Sequence, residues 1–144
     1  MALALRALGR KERTEAEMAA WLRERGVGEE ELEEVISRLI SSGGLDDASF
    51  AVRFAEDKRQ LGGWGPERIR ETLARRGVAA EHVEAALAAE PYEEELDRAV
   101  GLLDAGNKPL ETESERSRAL AFLTRRGYAY ETAYEAISKR ARAA

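Results

Sequence analysis

The chain has 144 residues, of which 35% are charged and 44% are hydrophobic, and its net charge is −5 at pH 7. This acidic balance disfavours a protein whose whole surface binds nucleic acid, although it is compatible with a local basic strip. The lack of cysteine excludes disulfides and thiolate metal sites. No apolar run approaches the roughly 18 residues of a membrane span, so we expect a cytoplasmic protein without membrane contact.

The first part of the chain predicts three helices. A short apolar stretch, Leu3 to Ala7, forms the first. Thr14 and Glu17 have the spacing of a capping box, which starts the second. The third is amphipathic over 32–40, because its apolar residues recur at i, i+3, i+4 and i+7.

The middle of the chain repeats this order. A leading helix is predicted over 47–60, and a second helix begins at Gly65 and Pro66, since proline is tolerated in a first helical turn. A third helix has a thinner apolar face, formed by Val83, Ala86 and Leu87.

The last part of the chain predicts three further helices. The leading helix covers 92–105, and Thr112 with Glu115 again has capping-box spacing. The final helix has a face that we expect to lie against the core, formed by Tyr130, Ala133, Tyr134, Ile137 and Ala141.

One segment within these parts occurs three times without a gap, at 14–36, 65–87 and 115–137. Each copy contains an arginine followed by a glycine, at Arg25-Gly26, Arg76-Gly77 and Arg126-Gly127. We expect these glycines to end helices in the left-handed conformation. A period of about 50 residues predicts one structural unit repeated three times.

These patterns together predict the fold class. We expect an all-α protein, an elongated, curved array of three tandem three-helix repeats. The predicted repeats are 1–44, 45–91 and 92–144, separated by glycine-rich and proline-containing breaks. Such an array presents a long surface in place of a deep pocket.

Four stretches of the chain carry a family resemblance. They are RTEAE at 13–17, GLDDASFA at 44–51, GPERIRE at 65–71 and FLTRRGY at 122–128. In this order they resemble the RecX regulatory proteins, which modulate the RecA recombinase. LDD followed by an aromatic residue is the most specific of these elements.

The resemblance implies a non-catalytic monomer that binds RecA protein and the RecA filament on single-stranded DNA. It also implies inhibition of recombinase activity, both ATPase and strand exchange, in DNA repair and recombination. Weak direct DNA contact is compatible with it.

The candidate partner-binding residues form two groups of basic side chains. The larger group surrounds a tryptophan in a glycine-rich loop, where an aromatic ring beside cations suits stacking or wedging into a groove. Its members are Arg53, Lys58, Arg59, Trp64, Arg68, Arg70, Arg75 and Arg76. The smaller group is Arg125 and Arg126.

Structural roles are alternatives for all of these residues. The arginines would then form ordinary i, i+4 ion pairs with glutamates, and Trp64 would cover the core. Arg125 and Arg126 would offset the dipole at a helix end. Asp46 and Asp47 are expected to cap a helix and not to bind a metal.

Catalytic and cofactor-binding patterns are missing from the sequence. His82 has no histidine or cysteine companions, and the glycine-rich loop at 62–65 lacks the lysine of a phosphate-binding loop. We therefore expect no enzyme, no metal and no cofactor. Two other hypotheses remain open, a single-stranded nucleic-acid binding protein that acts without RecA and a helical adaptor for an unrelated partner.

Overall fold

The computed structural model describes residues 1–143, and that range contains nine α-helices and no β-strand. The helices are α1 (Ala2–Arg10), α2 (Glu15–Glu24), α3 (Glu29–Ser42), α4 (Asp47–Gly62), α5 (Pro66–Arg75), α6 (Ala80–Ala88), α7 (Tyr92–Ala105), α8 (Glu113–Arg125) and α9 (Tyr130–Ala143). The predicted all-α fold is confirmed.

Buried apolar side chains form three separate clusters, one for each set of three consecutive helices. The first joins α1, α2 and α3, the second joins α4, α5 and α6, and the third joins α7, α8 and α9. We call these sets the first, second and third units. Each unit has its own core, and the chain is therefore a helical repeat array.

The accessible surface reflects this division into small cores. It amounts to 8621 Å², whereas a compact monomer of this mass would expose about 7,350 Å².

The repeat boundaries 1–44, 45–91 and 92–144 are a proposal. Leu45, which they assign to the second repeat, packs in the first cluster and donates a backbone hydrogen bond to Leu39.

The helix starts follow the predicted capping boxes. Thr14 accepts a hydrogen bond from the backbone of Glu17, and Thr112 accepts one from Glu115. The second box starts α8 at Glu113. In the repeat, the first residues of α2 and α5 correspond to Arg116, so α8 starts three residues earlier than they do. As a result α8 has 13 residues, whereas α2 and α5 have 10 each.

The three repeated glycines adopt the predicted left-handed conformation. Their φ angles are 81° at Gly26, 83° at Gly77 and 102° at Gly127. L-residues with a side chain rarely adopt these angles.

The prediction for the apolar face of α9 was wrong at two positions. Tyr130 and Tyr134 are exposed by 59% and 61%, and α9 instead buries Thr132, Ala133, Ala136 and Ile137. Because α9 packs against both α7 and α8, its small residues permit close approach and the large rings stay outside.

Candidate partner-binding surface

Trp64 lies at the centre of an aromatic and basic cluster just after α4. Its ring packs edge-on against Phe54, with centroids 6.1 Å apart. The guanidinium of Arg68 lies 3.9 Å from the ring centroid, and the ammonium of Lys58 lies 5.0 Å from it. We call these four residues the Trp64 cluster, in which the half-buried ring both covers the core and carries two cations.

The two cations of the Trp64 cluster differ in their pairing from the candidate arginines on the neighbouring surface. Neither Lys58 nor Arg68 forms an ion pair with any residue in 1–143. Leu61, one helical turn after Lys58, is exposed by 87%. Sequence reasoning missed Leu61, because a single leucine at the end of a helix gives no signal of exposure.

Three other candidate arginines form ion pairs on the surface. Arg53 pairs with Glu12, and Arg75 pairs with Glu71 at 3.0 Å. Arg70 contacts Glu84 at 2.9 Å and also Glu67. The hydrogen bonds that Arg70 donates, first to Glu84 and then to Glu67, raise its pKa. The pair of Arg75 and Glu71 has the i, i+4 spacing that the structural alternative described. The contacts of Arg53 with Glu12 and of Arg70 with Glu84 instead join residues 41 and 14 positions apart in sequence.

Arg76 lies at the junction between the first and second units. Its guanidinium donates two hydrogen bonds of 2.9 Å to Glu17 and lies 4.5 Å from the ring centroid of Phe50. Its backbone carbonyl accepts a 2.7 Å hydrogen bond from the Thr14 hydroxyl. Burial alone would raise the pKa of Glu17, but hydrogen bonds from Arg76 and Thr14 lower it overall.

Arg126 has the corresponding place between the second and third units. Its guanidinium donates to the carbonyl of Gly62 at 2.8 Å, and its own carbonyl accepts from the backbone of Gly65 at 2.8 Å. Gly127 accepts from Glu67 at 2.8 Å. Arg125 is exposed and has no ion pair within the described part of the chain.

The two junctions explain why arginine and glycine recur together. In each junction, the carbonyl of the arginine at the end of one unit's second helix accepts a hydrogen bond from the N-cap residue of the preceding unit's second helix. A Cβ on Gly77 would lie 2.4 Å from that of Ala16, and a Cβ on Gly127 would lie 2.4 Å from that of Arg68. Only glycine fits this close approach.

Arg59 belongs to a buried network beside the second junction. It lies 3.5 Å from Glu90, which also accepts a 3.0 Å hydrogen bond from Arg98. Arg98 donates to the Tyr128 hydroxyl at 2.9 Å, and that hydroxyl donates to the carbonyl of Gly63 at 3.0 Å.

The charge states in this network are shaped by burial. Burial alone would lower the pKa of Arg98, but its contacts with Glu90 and Tyr128 raise it overall, while burial raises the pKa of Tyr128. The side chains of Arg59 and Glu90 are each only 10% exposed, so little of the Arg59 side chain is accessible to a partner. Sequence spacing gives no signal that links Glu90, Arg98 and Tyr128.

The adjacent aspartates act as helix caps, as predicted. Asp46 accepts from the backbone of Ser49 at 3.1 Å, and Asp47 accepts from that of Glu15 at 3.0 Å. Asp47 thus caps a helix of the first unit from the second.

Across residues 1–143 there is no group of three or more histidine, aspartate or glutamate side chains arranged to hold a metal ion. Within the same residues, no helix is both long and apolar enough to cross a membrane.

The fold and these junctions define a class, the all-α proteins built from tandem three-helix units. Two family descriptions match this chain, "RecX, first three-helix domain" over residues 1–39 and "RecX, second three-helix domain" over residues 46–87. The chain belongs to the RecX family of regulatory proteins.

Individual relatives agree with this assignment. "Regulatory protein RecX" of Deinococcus radiodurans is 40% identical over 95% of this chain and 66% of its own length. "Regulatory protein RecX" of Trichlorobacter lovleyi is 35% identical over 87% of this chain and 84% of its own length. The chain therefore spans slightly less than two thirds of the Deinococcus relative.

Solved structures show the same fold. The crystal structure of RecX from Lactobacillus salivarius superposes with a TM-score of 0.88 at 21% identity, over 96% of this chain and 92% of that one. A second crystal structure of regulatory protein RecX gives a TM-score of 0.80 at 23% identity, over 96% of this chain and 69% of the other.

Proposed function

We propose that this protein is a non-catalytic regulator that binds RecA and its filament on single-stranded DNA and inhibits ATPase activity and strand exchange in DNA repair and recombination. Membership of the RecX family supports a regulatory role. The observation that carries the proposal of a contact surface is the Trp64 cluster, where two cations without ion pairs in residues 1–143 lie on aromatic rings. The proposal includes a cytoplasmic location and a monomer.

The geometry of the Trp64 cluster suits a protein partner. Arg68 is already ordered against the indole ring, so less side-chain entropy is lost when it meets an acidic surface. Leu61 supplies an exposed apolar contact one helical turn from Lys58. Tryptophan and arginine, both present in the Trp64 cluster, are enriched among the residues that contribute most to binding energy.

The array also suits a polymeric partner. Three units joined end to end present one long surface, and contacts from different units to neighbouring subunits of a filament would add avidity. Such contacts would occupy the filament surface without any chemical step.

The proposal is tested by titrating the protein into a RecA ATPase assay on single-stranded DNA. The double variant Lys58→Glu/Arg68→Glu should raise the concentration for half inhibition about tenfold, the effect of about 1.4 kcal/mol. Arg10→Glu/Arg38→Glu, in the first unit, makes the same change in net charge and should inhibit like the wild type. Leu61→Ser should weaken inhibition, whereas Leu5→Ser, at a leucine exposed by 56%, should not.

The outcomes separate the parts of the proposal. A wild-type protein that neither binds RecA nor inhibits its ATPase would refute the function. Full inhibition by the Lys58→Glu/Arg68→Glu variant would show that the Trp64 cluster is not part of the surface that contacts RecA. Arg76 is unsuitable for this test because its loss would also disturb the junction with Glu17.

The alternative of RecA-independent nucleic-acid binding is checked with a labelled single-stranded oligonucleotide at physiological salt. We expect little binding, because a base could stack on Trp64 only by displacing Arg68 from the ring. Tight binding without RecA would favour the alternative.

A further inference from the structure

The loop that carries Trp64 is held by two units of the array. Three of its four residues, 62–65, are glycine, and glycine loses more backbone freedom than any other residue when it is ordered. Within the second unit, the backbone amides of Gly63 and Trp64 donate to carbonyls near the end of α4, at 3.2 Å and 3.1 Å. The other backbone bonds of the loop described below come from the third unit.

Two residues of the third unit bond to the loop on both sides of Trp64. The guanidinium of Arg126 donates to the carbonyl of Gly62 at 2.8 Å, and the hydroxyl of Tyr128 donates to that of Gly63 at 3.0 Å. After the tryptophan, the amide of Gly65 donates to the carbonyl of Arg126 at 2.8 Å. The path of the chain around Trp64 therefore depends on the third unit.

The ring of Trp64 and the guanidinium over it are both seated on these contacts. A Cβ on Gly62 would lie 2.7 Å from the indole of Trp64, so the ring packs directly on the peptide that bonds to the third unit. A Cβ on Gly127 would lie 2.4 Å from that of Arg68, so the stem of this arginine packs on the turn at 126–128. A shift of that turn would move both groups.

The two residues that hold the loop are themselves fixed within the third unit. The guanidinium of Arg126 lies 5.2 Å from the ring centroid of Phe122. Tyr128 is only 2% exposed, and its hydroxyl accepts a 2.9 Å hydrogen bond from Arg98. Because both are ordered by their own unit, they impose a geometry on the loop and do not follow it.

We propose that Arg126 and Tyr128 are positioning residues, through which the third unit holds the Trp64 cluster in the geometry that meets a partner. The effect on inhibition rests on the proposed function, whereas the effect on the loop does not. Tyr128 is too deeply buried to touch a partner itself. Since coupling between two sites is reciprocal, a partner bound at the cluster also strengthens the docking of the third unit on the second.

The effect on the loop is measured without RecA, by acrylamide quenching of fluorescence in a Trp21→Phe background, where Trp64 is the only tryptophan. Tyr128→Phe should raise the quenching constant about twofold, because a loop that has lost its third-unit partner opens locally. Arg126→Ala should act in the same direction. Arg126→Lys, which keeps a donor for the carbonyl of Gly62, should restore most of the protection.

Thr14→Ala is the matched control at the junction between the first and second units. The Thr14 hydroxyl donates to the carbonyl of Arg76 and also caps α2, so its loss destabilises the protein without touching the loop. The quenching constant of Trp64 should therefore stay unchanged. A constant that Tyr128→Phe and Arg126→Ala leave unaltered, or that Thr14→Ala raises equally, would overturn the inference.

A measurement with RecA asks whether Tyr128 acts through the Trp64 cluster. Tyr128→Phe should raise the concentration for half inhibition of the ATPase about threefold, because the cluster is less well ordered before binding. In the Lys58→Glu/Arg68→Glu background it should have no further effect. Equal losses in both backgrounds would overturn the inference. If the wild type does not inhibit RecA, the proposed function fails, and the quenching comparison alone decides whether the third unit positions Trp64.

Discussion

Arg76 and Glu17 are separated by 59 residues in sequence and joined by two hydrogen bonds of 2.9 Å. The pair spans the junction between the first and second units, and the carbonyl of the same arginine accepts from Thr14. One residue therefore fixes the second unit against the start of α2 through both its side chain and its backbone. Because each unit has its own core, such junction contacts decide how the units are arranged.

The first prediction is a coupling energy between these two residues. In a double-mutant cycle, Arg76→Ala and Glu17→Ala should show a coupling of about 1 kcal/mol, since the pair is bidentate but still about one-third exposed. Urea unfolding followed by tryptophan fluorescence measures it, because Trp21 lies in the first unit and Trp64 follows α4 of the second. Strictly additive losses would show that the two side chains stabilise the protein independently.

The same pair predicts a dependence on pH. The pKa of Glu17 is lowered below its ordinary value of 4.5 in the folded protein, so its ionised form stabilises the fold. This stabilisation is complete above about pH 4.5 and is lost as pH falls through the lower folded-state pKa.

The wild type and Glu17→Gln should therefore differ most in unfolding free energy near neutral pH and converge in acid. Burial raises the pKa of Asp47 and of Glu15 at this junction. The charge of Glu17 also contributes to the raised pKa of Asp47, so an Arg76→Ala background is needed to assign the difference to the pair of Glu17 and Arg76. In an Arg76→Ala background, the difference in unfolding free energy that Glu17→Gln causes should become small and nearly independent of pH. A constant difference from pH 7 to pH 3 would contradict the assignment.

Gly127 and Gly26 provide a matched test of the close approach between units. Both have left-handed backbones, but a Cβ on Gly127 would lie 2.4 Å from Arg68, whereas one on Gly26 would meet open space. Gly26→Ala should cost about 1 kcal/mol of backbone strain, and Gly127→Ala about 3 kcal/mol because a steric clash is added. Chemical denaturation of both variants checks this, and equal losses would mean that the junction tolerates a side chain.

Much of the fold could be predicted from the sequence because its signals are local. Capping boxes, glycine stops and helical periodicity each act within one or two turns, and they located every helix. The outward orientation of Tyr130 and Tyr134 could not be predicted in this way. Periodicity places them on an apolar face, but the close packing of α9 against two helices selects small residues instead.

The candidate surface was only partly predictable, because arginine serves both in binding and in structure. Sequence identified the Trp64 region, yet it could not distinguish Arg68, which lies over the ring, from Arg59, which lies buried beside Glu90. That distinction depends on contacts between residues far apart in the chain.

Tyr128 gives the last prediction, at the second junction. Its hydroxyl donates to the carbonyl of Gly63 and accepts from Arg98, and the residue is only 2% exposed. Tyr128→Phe would leave both of these groups without their partner in a buried site, so it should lower the unfolding free energy by about 2 kcal/mol.

Tyr134→Phe is the matched control, because that ring is 61% exposed and its loss of a hydroxyl should change stability by less than about 0.5 kcal/mol. Thermal unfolding of the two variants compares them directly. Equal melting temperatures would show that water replaces the Tyr128 hydroxyl and that this hydrogen-bond chain does not hold the third unit against the second.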